Sequence, residues 1–261
     1  NVDMMAYLFQ ILSLYLPDAS MLCNDIVSLD ITGRPMLITP IVKFTTVCLK
    51  TCPGAFTDEL LNKLFNLFKY ILSVDFIDDA FFLLNGITFC LPFQRLANMI
   101  PTVINLICQH LSEYQTHRMT YQVVKYILQL CYVNDLQAIN QLQIPVVCGT
   151  LFAENIQKLP FNMNRPVCLV GYLKLLMLPQ FRPLLENPTY VQGIITSAVD
   201  VIKNKRIIDF EYEEIKEDKT TNLSIIRKVQ VDPELTTVVP PLKEALASVF
   251  SLTITVNGQQ V

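Results

Sequence analysis

Glycine is scarce in this 261-residue chain, at 7 residues against 15 prolines. That balance disfavours turn-rich β architectures, whose tight turns need residues that tolerate positive φ, and it leaves little material for the Gly-rich loops that cradle nucleotide phosphates. Histidine is scarcer still, with His110 and His117 the whole supply. Charged residues make up only 16% of the chain, and a net charge of −3 gives no global electrostatic footprint for DNA or RNA. No basic stripe with interleaved aromatics occurs, so direct contact with nucleic acid is not expected. Long apolar runs are also missing. A membrane-spanning helix needs about 20 predominantly apolar residues, whereas an uncharged stretch such as 136–153 is interrupted by Gln137, Asn140, Gln141, Gln143 and Pro145. No membrane insertion is expected. The opening residues NVDMMAYLFQ have neither a basic n-region nor a cleavage pattern. They also lack an initiator Met, which points to a piece of a longer protein.

Catalytic patterns are absent as well. There is no G-x-S-x-G, no Walker loop, no G-x-G-x-x-G and no H-E-x-x-H. Cys108 and His110 are two residues apart, so on a helix they point to different faces and do not form a nucleophile and base. Both histidines read as capping or solvent-exposed residues at a helix end and the following turn. Asp78 and Asp79 are adjacent acids in a first helical turn, where they favour the macrodipole and need no metal to explain them. No catalytic residue, cofactor site or metal site is expected, and the chain reads as a non-enzyme.

What is present is apolar material, 52% of the residues. The eight cysteines, Cys23, Cys48, Cys52, Cys90, Cys108, Cys131, Cys148 and Cys168, are spread through apolar segments. Cys48 and Cys52 fall on one face of a helix, but no Cys/His pair of zinc-binding spacing follows. Reduced core thiols in a reducing compartment are expected. The Asn222-Leu223-Ser224 sequon is then without consequence, and Tyr7, Phe9 and Tyr15 read as ordinary core or groove residues.

Periodicity is helical from end to end. In "PGAFTDELLNKLFNLFKYILSV", Pro53-Gly54 ends one helix and Thr57 caps the next, with Asp58 and Glu59 in its first turn. Leu61, Leu64, Phe65, Phe68, Ile71 and Leu72 then form one broad apolar face. Further helices are predicted over about 75–90, over 92–113 with a kink or break at Pro101, and over 118–133. Others cover 145–159 and 166–178, each opened by its proline, then 188–204, and a last short one follows the acidic run. The connections are too short to cross a sheet, so successive helices are expected to pack as antiparallel hairpins. Pair starts near residues 3, 40, 75, 118 and 163 give a loose period of about 40, the spacing of HEAT-type repeats. The predicted fold is all-α, an α-solenoid of HEAT-type helix pairs, with about six pairs over 1–261; a globular helical bundle is the alternative.

One segment breaks the apolar pattern. Residues 209–218, "DFEYEEIKED", hold six acids, Asp209, Glu211, Glu213, Glu214, Glu217 and Asp218, against the single base Lys216. That many unpaired carboxylates cannot enter a core. An acidic insertion over about 205–236 is therefore expected between the final two helical units, its carboxylates in solvent and tethered by one or two of Phe210, Tyr212 and Ile215. These six acids are the candidate partner-binding residues; the alternative is a solvated linker that contacts nothing.

Several segments resemble a known family. "DAFFLLNGI" (79–87), "ENIQKL" (154–159) and "RPVCLVGYLKLL" (165–176), then the acidic run, "LSIIRKVQVDP" and "VVPPLKEAL", occur in an order and spacing similar to the importin-α re-exporters. These are the cellular apoptosis susceptibility or chromosome segregation exportins of the importin-β superfamily. The resemblance covers most of the chain from about Leu37, and its weight lies in collinearity. It implies the C-terminal part of a HEAT-repeat arch that binds importin-α with Ran-GTP and shuttles between nucleus and cytoplasm, with the main Ran site outside this piece. It implies no catalysis. The other function carried by the same pattern is a generic helical-repeat scaffold or adaptor.

Overall fold

A computed structural model describes residues 24–28, 31, 33–159, 164–203 and 239–256. The chain divides into two compact units, residues 1–98 and 99–261. Among the described residues there are only helices and their connections.

The first unit holds α1 (Ile38–Thr51), α2 (Asp58–Ser73), α3 (Ile77–Cys90) and the single turn α4 (Phe93–Leu96). The α2 signals are realised as read. Thr57 caps the helix by accepting the Leu60 N–H at 3.3 Å, with Asp58 and Glu59 in the first turn. Leu61, Leu64, Phe65, Phe68, Ile71 and Leu72 are all buried. α2 ends at a reversal in which Asp75 takes a left-handed φ of 64°, a conformation that a short polar side chain tolerates. α3 therefore begins at Ile77, two residues later than expected. It packs against both α1 and α2, and so buries Ile77, Ala80, Phe81, Leu83, Leu84 and Ile87 around much of its circumference.

The second unit begins with α5 (Ile100–Glu113), α6 (His117–Val133), α7 (Leu136–Gln141) and α8 (Val146–Asn155), followed by a 3₁₀ turn, Ile156–Lys158. Next come α9 (Asn164–Leu176), a 3₁₀ segment Pro179–Glu186, α10 (Pro188–Lys203) and α11 (Val239–Val256). Pro101 breaks the expected helix rather than kinking it, because it falls in the first turn of α5, where its missing N–H costs nothing. Pro145 is the cap residue before α8, and Pro166 lies three residues into α9. Two pieces, α7 and Pro179–Glu186, were not foreseen, and α11 is longer than the short helix expected. α7 is capped by Asp135, which accepts the Ala138 N–H at 2.8 Å. α6 is capped by Thr116, which accepts the Met119 N–H at 3.1 Å.

α9 is the centre of this unit and packs against both α6 and α11. Its apolar residues are buried all round, Val167, Cys168, Leu169, Val170, Tyr172, Leu173, Leu175 and Leu176 among them. That explains its weak amphipathicity, as expected of a helix covered on every side. By length and composition α9 and the Pro179–Glu186 segment could together make a broken span, but they are bent by 106° and α9 is core. Among the described residues, no single helix is long and apolar enough to cross a membrane.

The repeat is visible in the polar contacts. Helices α1, α3, α6 and α9 begin at Ile38, Ile77, His117 and Asn164, close to the pair starts read from the sequence. Within the first unit α1 stacks on α3, and within the second α6 stacks on α9. Long-range hydrogen bonds link positions one repeat apart. Thr39 donates to Asp79, 40 residues on, at 3.0 Å, and Tyr70 donates to the Ile31 carbonyl across 39 residues. Arg95 donates to the Phe56 carbonyl across 39 residues at 2.6 Å. In the second unit Lys174 donates to the Asn134 carbonyl across 40 residues at 3.0 Å. Within each unit, then, side chains of one repeat satisfy loose ends of the one before it, as a stacked helical array requires.

Candidate partner-binding surface

The six candidate acids, Asp209, Glu211, Glu213, Glu214, Glu217 and Asp218, lie outside the described residues, as do Phe210, Tyr212, Ile215 and the Asn222 sequon. What is described is the pair of helices on either side, α10 ending at Lys203 and α11 beginning at Val239. α10 buries Gly193, Ile194, Ser197, Ala198 and Val201 against its own unit. A second apolar stripe runs along its other side, where Ile195, Val199 and Ile202 remain 38, 39 and 45% exposed. This stripe is not among the features predicted for the helix over 188–204. The signal was there in the i, i+4, i+7 spacing of three further branched apolar residues that an inward face did not need. Val146 and Val147, at the start of α8, are also exposed.

Formal charge is unevenly distributed along the sequence. The run 209–218 holds five more acids than bases, which exceeds the chain's whole net charge of −3. The remaining sequence is therefore slightly basic, and the negative field of the chain is concentrated in this one segment. Two ion pairs hold the start of α2. Lys63 meets Glu59 at 3.2 Å, and Arg95 meets Asp58 at 2.8 Å, where it also holds the first turn of α2.

Asp79 accepts the Thr39 hydroxyl, and Asp78 shares its first-turn position on α3. His110 lies in the last turn of α5, its ring 5.0 Å from that of Tyr114, and His117 opens α6. No group of three or more His, Cys, Asp or Glu side chains able to hold a metal occurs among the described residues. Of the seven described cysteines, Cys48, Cys131, Cys148 and Cys168 are buried, while Cys52, Cys90 and Cys108 are half-buried. Cys52 is the residue that ends α1 rather than a member of its face with Cys48. Burial raises the thiols of Cys131 and Cys168, the latter to about 12. Lys174 is pushed the other way by burial, below the usual amine range, while its ammonium bonds the carbonyls of Tyr132 and Asn134 at the end of α6.

No curated protein matches the chain. Among solved structures, the exportin Cse1 in its cargo-free, cytoplasmic state is similar, with a TM-score of 0.62 and 17% sequence identity. The match covers 90% of this chain and 26% of that exportin, so the chain spans about a quarter of its length. At that identity the likeness shows the fold, the helical solenoid read from the sequence. The family described as CAS/CSE protein, C-terminus, matches residues 2–222, most of the chain. The chain therefore belongs to the CAS/CSE family and represents its C-terminal portion.

Proposed function

We propose that this chain is part of a nuclear transport receptor that returns importin-α from nucleus to cytoplasm in complex with Ran-GTP. It works by protein binding alone, with no chemistry of its own, and shuttles through the nuclear pore. The observation that carries this reading is the family match over residues 2–222. Its support is a helical array that closes its polar groups from repeat to repeat and concentrates its negative charge in one segment. The principal Ran site lies outside this piece. The array from 1 to 261, with its acidic insertion at about 205–236, supplies part of the importin-α surface.

Within that surface the acids Asp209, Glu211, Glu213, Glu214, Glu217 and Asp218 steer the cargo. Exposed carboxylates attract a partner with basic tracts over a distance of about 8 Å at physiological salt, and they act on the association rate more than on the final affinity. The test is the association rate of the full-length receptor with importin-α, Ran-GTP present, after the six acids are replaced by Asn or Gln. A slower association at low salt that converges on wild type as ionic strength rises supports steering. An unchanged rate at low salt leaves the segment as a linker. A scaffold or adaptor without transport function would instead bind importin-α no better with Ran-GTP than without it.

A further inference from the structure

Cys108, on α5, and Cys148, on α8, bring their sulfur atoms to 3.5 Å. A disulfide needs about 2.05 Å between sulfurs, so the two thiols, already in contact, have about 1.5 Å left to close. Cys108 is half-buried and open to a small reagent, whereas Cys148 is only 3% exposed. The two are 40 residues apart, one repeat length, and both lie in the second unit. We infer that Cys108 and Cys148 are a redox-sensitive pair, oxidised by peroxide to a disulfide that ties one repeat of the array to the next.

The chemistry divides unequally between the two sulfurs. The two thiols share one hydrogen bond that either can donate. With the more deeply buried Cys148 as donor, the bond holds Cys108 below the usual thiol range, while the same bond and burial hold Cys148 above it. Cys108 is thus the attacking thiolate. Its sulfur forms a bond to one peroxide oxygen, the O–O bond breaks, and hydroxide leaves, giving a sulfenic acid. The Cys148 sulfur then attacks the Cys108 sulfur; the S–S bond forms, the S–O bond breaks, and the departing hydroxide takes the Cys148 proton as water. The two thiols lose two electrons and two protons, and one peroxide becomes two waters. A thiol reductant reverses the change by exchange. A solenoid bends through small rotations between neighbouring repeats. A bridge from α5 to α8 removes that freedom at one joint.

The test uses the full 261-residue chain, treated with stoichiometric hydrogen peroxide, quenched by alkylation and mapped without reduction. The expected product joins tryptic peptide 96–118 to peptide 126–158, with fragmentation placing the bridge on Cys148 rather than Cys131. It should form before Cys52 or Cys90 is oxidised and disappear with dithiothreitol. In Cys148→Ser, Cys108 should accumulate as a sulfenic acid captured by a dimedone probe; in Cys108→Ser, Cys148 should remain a thiol. The proposal is overturned if wild-type Cys108 passes to sulfinic acid without a bridge, or if Cys52 and Cys90 oxidise first. The wild-type ordering decides the matter even where a serine variant fails to fold.

Discussion

At Gly171 on α9, an added Cβ would lie 1.9 Å from the Leu128 carbonyl oxygen on α6. In an isolated helix, Gly→Ala stabilises by about 1 kcal/mol. Here the two backbones would have to separate, and overpacking of this kind costs about 1–3 kcal/mol or more, so the sign reverses. Gly171→Ala should lower the urea midpoint clearly, while Gly54→Ala, with nothing within 4 Å of its added Cβ, should leave it nearly unchanged. Equal effects at both positions would refute the close crossing of α6 and α9. Residue-level burial also orders the thiols. Alkylation needs the thiolate, and Cys131 and Cys168 are buried and pushed far above neutral pH. At neutral pH they should react only after denaturation, whereas half-buried Cys52 should react in the native state. Rapid native labelling of Cys131 or Cys168 would contradict the core described for the second unit.

Between elements, hydrogen bonds recur one repeat apart. Lys174 on α9 reaches back to the carbonyls of Tyr132 and Asn134, where α6 has run out of internal donors. Lys174→Met keeps the aliphatic stem and removes those bonds. It should cost about 1.5–3 kcal/mol, the range for hydrogen bonds to charged groups, read as a lower denaturation midpoint. A midpoint unchanged from wild type would mean that the repeat-to-repeat bonds are incidental. The helices themselves were legible because their signals are local: the Thr57 cap, the acids after it, and the six apolar residues of α2 that all turn out buried. The misses have physical causes. α7 is too short, at six residues, to show a helical period, and its Asp135 cap alone announces it. The proline-opened boundaries shifted by one or two residues, because a proline is tolerated anywhere from the cap to the first turn, where no intrahelical N–H bond is lost: Pro145 is the cap of α8 and Pro166 the third residue of α9. α9 lacks an amphipathic stripe because it has neighbours on several sides, which no window along the sequence reveals.

At the scale of the whole molecule, the repeat period and the family were readable, since both depend on the order of many segments rather than on any single motif. The surface was less so. The exposed stripe of α10, Ile195, Val199 and Ile202, becomes distinct only once the packing shows which side of the helix is inward. The acids of 209–218 were found because six of them in ten residues stand out against an apolar chain. The central claim is that this array belongs to a receptor whose hold on importin-α depends on Ran-GTP. The most direct test is the affinity of the full-length receptor for importin-α, measured with Ran-GTP and again with Ran-GDP. The account predicts a gain with Ran-GTP of at least about tenfold, or 1.4 kcal/mol, matched by an equal gain in Ran-GTP affinity when importin-α is bound, as linkage requires. Equal affinities in the two nucleotide states would contradict it.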